Sequence, residues 1–375
     1  MDAVRNPIEV IDETLREGMQ FQGMVFTLDQ RLELLAFQNA LRVDVSQIGY
    51  PSAHPLEAEI VQKTADHARS QGYGLRTAAL GRAVMADAEI LVETGVDDIH
   101  FHLHLPSDMD AADMAAHLSD FESVVAFVRK ERPKARISTA VLDMGKTRPE
   151  LLKAAVSALG QQLGVDLISL PDTSGIMAPH QVAATLAPLL SHTGNAGLTI
   201  HCHNDMGMAA ANTLTGVRAG ARALEASALG IGERNGIADL YTTVRLLDLP
   251  PAQGPRLALE NISLFRKYYQ ALSTMVETQT GVPLLTETTP VFGNAVETHV
   301  AGTHVGQGFG ISDKERFFLN CLCGRRMVAA VLDQWEIPYD GKRLGEITTA
   351  VKATSLRRGR RMTRSDLQSL AAYFY

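Results

Sequence analysis

Val165-Asp166-Leu167-Ile168-Ser169-Leu170, Pro171-Asp172-Thr173-Ser174-Gly175, Pro179–Leu190 and Gly197-Leu198-Thr199-Ile200-His201 make up one unit of a pattern that fills residues 1–250. The first run is short, apolar and rich in Val, Ile and Leu, which reads as a buried strand. Polar residues and a glycine turn the chain, and the next segment, opening on a proline, carries helical spacing. A second apolar run follows, so strand, helix and strand form a βαβ unit with parallel strands.

Working outward, the same reading gives strands at Ile8–Glu13, Val43–Gly49, Gly74–Leu80, Asp98–Leu103, Arg136–Leu142 and Ala223–Leu229. Each precedes helical spacing, as Leu28–Leu41 does after the first. Eight such units close more naturally than they spread into an open sheet, so the expected fold class is α/β, a (β/α)8 TIM barrel over residues 1–250. Thr27 is expected to cap the helix that follows it, and Thr147 precedes Pro149 in the first turn of another. The pattern stops at Leu249-Pro250-Pro251-Ala252-Gln253-Gly254-Pro255, where no helix or central strand can continue. A mainly helical region is expected over 251–375, with helices at Asn261–Thr280, Arg325–Trp335 and Thr363–Tyr375 around a glycine- and histidine-bearing segment, Gly293–Gly310.

A formal charge of −7 lacks the cation surplus that general nucleic-acid binding needs. No apolar run approaches the roughly 20 residues that span a bilayer. Met1–Val10 holds charges and Pro7 where a signal peptide needs an apolar core, and only Cys202, Cys321 and Cys323 are cysteines, so a cytoplasmic protein is expected. The basic cluster Arg357, Arg358, Arg360, Arg361 and Arg364 has two readings, a solvated surface segment or a seat for a phosphate-bearing ligand such as CoA.

Barrel active sites form where strands end at their C-terminal side. The first strand ends in Asp12-Glu13-Thr14-Leu15-Arg16-Glu17-Gly18-Met19-Gln20 and the seventh in His201-Cys202-His203-Asn204-Asp205. Residues two apart on an extended chain share a side, so His201 and His203 face the barrel axis together. With an oxygen from Glu17 or Asp12 they make a ligand set for one divalent ion, Mn2+, Zn2+, Fe2+, Co2+ or Mg2+. Arg16 beside that ion suits the alkoxide that develops when a carbanion attacks a keto carbon. Thr173 stands at the mouth, and Gly230-Ile231-Gly232-Glu233-Arg234-Asn235-Gly236 offers either backbone amides to a ligand or a tight turn. His100, His102 and His104 alternate along the fourth strand and are expected to line a polar pocket or pack within it.

Four motifs, Thr14-Leu15-Arg16-Glu17-Gly18-x-Gln20, Pro171-Asp172-Thr173-x-Gly175, His201-x-His203-Asn204-Asp205-x-Gly207 and Gly230-Ile231-Gly232-Glu233-Arg234, occur in order. Together they resemble the isopropylmalate, citramalate and homocitrate synthases, metal-dependent TIM-barrel enzymes related to HMG-CoA lyase, and most of all homocitrate synthase-like members. The resemblance implies that Glu17, His201 and His203 hold the metal, with Asp12 in support. It implies acetyl-CoA as co-substrate and Claisen condensation with a 2-oxo acid, an acyltransferase reaction. It gives Arg16, Glu233 and His304 catalytic roles, the last from the segment His299-x-x-Gly302-x-His304 acting in the partner subunit of a homodimer. Gln20, Thr173, His102 and Lys146 are the expected substrate contacts, Lys146 pairing with a second anionic group on the oxo acid. The family's leucine-binding regulatory domain would begin where this sequence stops, so none is expected. An HMG-CoA lyase-like or aldolase-type carbon–carbon lyase is the alternative, and a two-histidine, one-carboxylate oxygenase fits the ligands but not the barrel.

Overall fold

The computed structural model describes residues 7–106, 109, 111–247, 256–300 and 316–374. Eight parallel strands close into a barrel: β1 Glu9–Asp12, β2 Val45–Gln47, β3 Arg76–Arg82, β4 Asp98–Leu103, β5 Arg136–Val141, β6 Leu167–Asp172, β7 Gly197–Cys202 and β8 Ala223–Ala226. β8 pairs back onto β1, with Glu9 opposite Ala223 and Asp12 opposite Ala226. β8 stops short of the expected Leu229 because Leu229 and Gly230 adopt left-handed φ angles of 55° and 64° and turn the chain. Thr27 caps its helix as expected, with a capping box to Gln30. Pro149 stands in the first turn of its helix as expected; Arg148 takes the cap position without a side-chain bond, and the Thr147 hydroxyl donates to the Asp143 carbonyl.

Alternation along the strands sorts the barrel interior into layers. At the N-terminal end Glu9 bridges Arg76, at 2.9 Å, and Arg136, at 2.5 Å, while Arg136 also reaches Asp98 at 2.9 Å. Two residues further along come the buried side chains of Ile11, Val45, Ala78, Leu167 and Ala223, an apolar plug. The next inward positions are polar again: Glu13, Gln47, His100, Ser138, His201 and Glu225 are all buried. Burial alone would raise the Glu9 carboxyl, but the hydrogen bond and charge of Arg136, helped by Arg76, outweigh it and hold the pKa below its ordinary 4.5. A depressed folded-state pKa contributes stability that is complete above the unfolded value and disappears as pH falls through the folded one. Glu9→Gln is therefore expected to cost about 2 kcal/mol at neutral pH, the scale of a charged hydrogen bond. In urea unfolding measured across pH, the gap to wild type should close below pH 4.5; a gap that persists there would refute the assignment.

The chain divides into compact units at Leu284, not at the proline run. Helix Ile262–Thr280 stays with the barrel because its tyrosines bond into it. The Tyr268 hydroxyl donates to Asp12 Oδ2 at 2.9 Å and accepts from Gln38 Nε2 at 3.0 Å, and the Tyr269 hydroxyl donates to Asp239 Oδ1 at 2.7 Å. The second unit, Leu285–Tyr375, packs helices Arg325–Gln334, Leu344–Arg358 and Arg364–Tyr373 around Leu319, Val328, Val331, Ile347, Val351 and Leu367. Most of its arginine cluster serves that packing. Arg358 and Arg360 both pair with Asp366, Arg361 lies over the Phe318 ring at 4.3 Å, and Arg364 donates to the Trp335 carbonyl. Those contacts favour the structural reading of the cluster over a CoA seat.

Candidate active site

Directly after β1 the chain makes a single helical turn, Thr14–Glu17, that brings Arg16 and Glu17 back over the barrel mouth. Asp12 holds this turn. One of its oxygens accepts from the Thr14 backbone and hydroxyl, and the other from Tyr268. Both oxygens are thus engaged within the fold, whereas Glu17 meets Arg16 and the Glu233 amide at the barrel mouth. The Ala228 amide donates to Thr14 Oγ1 at 2.8 Å, tying the first turn to the last.

Arg16 is buried and meets four acceptors, one fewer than its five N–H donors. Its Nε donates to Gln47, its Nη1 to Glu17 and, at 3.2 Å, to Gln20, while Nη2 lies 2.8 Å from Glu13 Oε2. His201 Nδ1 sits between two carboxylates, 3.0 Å from Glu13 and 3.1 Å from Glu225. Burial would push this imidazole down, but Glu13 first and Glu225 next override it and hold its pKa up to about 10. Burial also opposes ionisation of Glu13, yet Arg16 and His201 keep its carboxyl well below the usual range. His203 is pushed down to about 3, by burial and then by the charge of His201. The two rings lie 5.0 Å apart, and His203 Nδ1 has no hydrogen-bond partner.

Among the described residues one group of ligand atoms is close enough to share an ion: Glu13, Glu17 and His201, all within 4.8 Å of one another. His203 stands beside that group without belonging to it. Buried carboxylate oxygens and an imidazole nitrogen lacking hydrogen bonds are what a metal site looks like before its ion is counted, and two imidazoles with carboxylates suit a divalent ion. The residues present therefore fit a metal. Gly232 makes room for the Glu17 side chain: a Cβ there would stand 2.9 Å from Glu17 Cγ. Gly236, at φ +76°, closes the turn against the Gly230 carbonyl. The glycine segment is thus a tight turn that also leaves space at the site.

A cavity of about 570 Å³ opens over this cluster. Arg16, Glu17, Gln20, His102, Thr173, His201, His203 and Glu233 all line it, so eight of the ten expected site residues converge. Thr173 Oγ1 accepts from the Asp143 amide at 3.0 Å. Arg234 grips both oxygens of Asp205 at 2.9 and 3.0 Å and donates to the Thr173 carbonyl, so the loops after β6, β7 and β8 form one rim. Lys146 is not on the cavity wall. It is exposed, and its amine pairs with Asp143 at 3.3 Å and with Ser174. His304 lies outside the described residues. His100 donates to or accepts from Ser138 at 2.7 Å, and burial pushes both His100 and His102 below the ordinary imidazole value, which gives a polar but uncharged wall.

Sequence reading assigned no role to Glu13, Gln47 or Glu225. For Glu225 a signal existed: an acid inside Ala223-Leu224-Glu225-Ala226, where burial demands a partner. Nothing in the local sequence marks Gln47 as the acceptor for Arg16.

A closed parallel barrel with an acid–imidazole cluster at the C-terminal ends of β1 and β7 defines a class, the barrel enzymes that work at their strand ends. The profile of the HMGL-like family matches residues 7–263, and the chain belongs to that family. A probable 2-isopropylmalate synthase of Archaeoglobus fulgidus is 28% identical over 391 residues, taking in 99% of this chain and 74% of that protein. A homocitrate synthase of Saccharolobus solfataricus is 30% identical over 306 residues, 80% of this chain and 63% of that protein. The crystal structure of an HMG-CoA lyase from Brucella melitensis superposes with a TM-score of 0.61 at 19% identity, over 72% of this chain and 99% of that one, a likeness of fold. No helix among the described residues is long and apolar enough to cross a membrane.

Proposed function

We propose that this protein is an acyltransferase that condenses an acyl-CoA, acetyl-CoA first among candidates, with a 2-oxo acid, water then cleaving the thioester to give a 2-hydroxy di- or tricarboxylate and CoA. The observation that carries this reading is the convergence of Arg16, Glu17, His201 and His203 on one cavity at the barrel mouth. A divalent ion held by Glu17, His201 and His203 would polarise the keto group and fix the acid's orientation. Arg16 supplies its guanidinium to the oxygen that becomes an alkoxide. Gln20 and Thr173, on the same wall, supply hydrogen bonds to the acid's carboxylate. Glu233 and His304, the latter from the partner subunit of a homodimer, are the proposed proton-transfer residues.

The tail of the oxo acid has two readings. A second anionic group, the first, would meet His102 on the cavity wall, with Lys146 paired to Asp143 and Ser174 outside it. An aliphatic tail is favoured by Leu80, Ala140 and Leu142, which line the cavity beside the uncharged His102. The deciding assay is thiol release from acetyl-CoA with oxaloacetate, 2-oxoglutarate, pyruvate, 2-oxoisovalerate and phosphonate-bearing oxo acids. Thiol release with one of these is the expected result, and kcat/KM across the panel assigns the tail. Absence of thiol with all of them, together with cleavage of a hydroxyacyl-CoA, would replace the synthase reading by a lyase.

A further inference from the structure

The metal reading above uses Glu17, His201 and His203 and leaves Glu13 without a task. Glu13 is wholly inaccessible to solvent, and it follows Asp12 at the end of β1 on the inward side. Its Oε1 meets no donor, while Oε2 is ion-paired with Arg16 at 2.8 Å and with His201 at 3.0 Å. A buried carboxylate is costly unless its lone pairs are filled. Oxygens of Glu13 and Glu17 and a nitrogen of His201 lie within 4.8 Å of one another. That is about the widest separation two ligands of a single ion can have, twice a metal–oxygen distance of roughly 2.0 to 2.4 Å. Charge points the same way. Three buried carboxylates, Glu13, Glu17 and Glu225, surround one guanidinium, Arg16, and a divalent ion with neutral imidazoles restores balance.

We infer that Glu13 is a fourth protein ligand, so that the ion is held by two carboxylates and two imidazoles, Glu13, Glu17, His201 and His203. This rests on the metal dependence proposed above and adds a ligand to it. Four side chains on a six-coordinate ion leave two positions, the number that the keto and carboxylate oxygens of one 2-oxo acid occupy.

Glu225 provides the control, because it touches the same His201 nitrogen at 3.1 Å but lies outside the cluster of ligand atoms. If Glu13 served only to orient His201, changing either acid would have the same effect. The test uses the full-length protein stripped of metal and reloaded with Mn2+, reading affinity by calorimetry and the number of exchangeable waters on the ion by water-proton relaxation. Wild type is expected to bind one Mn2+ carrying about two waters. Glu13→Ala should bind it about 100-fold more weakly and gain one water. Glu225→Gln should keep the wild-type water number. Should Glu13→Ala fail to fold, Glu13→Gln must lose at least tenfold more affinity than Glu225→Gln. A wild-type water number in Glu13→Ala, or equal losses in the two Gln variants, overturns the inference while leaving the metal reading intact. Failure of the wild-type protein to bind Mn2+, Zn2+ or Co2+ overturns both.

Discussion

Replacing His203 with alanine is expected to strip the metal and reduce turnover about a thousandfold or more, with little loss of folding stability. Polarisation of a carbonyl by a bound cation is worth several kcal/mol at the transition state, and about 1.4 kcal/mol is a factor of ten in rate. His203 is the cleanest position because its Nδ1 bonds to nothing in the fold and its imidazole is already held neutral. His201→Ala should be equally inactive but less stable, since Glu13 and Glu225 would lose the ring that stands between them. Metal content by atomic emission, turnover by thiol release and urea unfolding measure the three effects. A His203→Ala protein with wild-type metal content and rate would end the ligand assignment.

Arg16→Lys keeps the charge and is still expected to lower kcat by 100-fold or more, the scale of losing one oxyanion donor. The guanidinium spans four partners at once, Gln47, Glu13, Glu17 and Gln20, through three nitrogens at fixed angles. An ammonium has three donors on one atom and cannot reach across Glu13 and Glu17 while presenting a proton to substrate. The loss should fall on kcat, with KM changed far less, because the oxygen that Arg16 serves carries its charge only in the transition state. A wild-type kcat in Arg16→Lys would remove that role.

What the sequence made legible was whatever lay within a few contiguous residues. Alternation placed His201 and His203 on one side of β7, and the Arg16-Glu17 pair was readable as chemistry because a strand ended just before it. Strand-end position alone left Asp12 and Glu17 as equal candidates; the family resemblance chose Glu17, and Tyr268, on a helix more than 250 residues away, occupies Asp12. Glu13, Gln47 and Glu225 depend on how β1, β2, β7 and β8 sit side by side, which is register, and register is not written locally. Lys146 is the opposite case. It was near the mouth in sequence, but as the third residue after Asp143 in a turn it closed a local ion pair instead of facing the cavity. The prolines from Leu249 to Pro255 do interrupt a helix, yet Tyr268 and Tyr269 return the next one to the barrel, so a break in secondary structure was not a break between compact units.

The apolar plug of Ile11, Val45, Ala78, Leu167 and Ala223 separates two sets of charges that would otherwise share one low-dielectric interior. Below it Glu9, Arg76, Asp98 and Arg136 tie the strand starts together, and above it Glu13, Arg16, His201 and Glu225 gather at the candidate site. Substitutions on opposite sides share no partner, so their energetic effects should add. The barrel can in that way drift in its anchoring end while its reactive end is held constant, and can change what it reacts with without renegotiating how it stays folded.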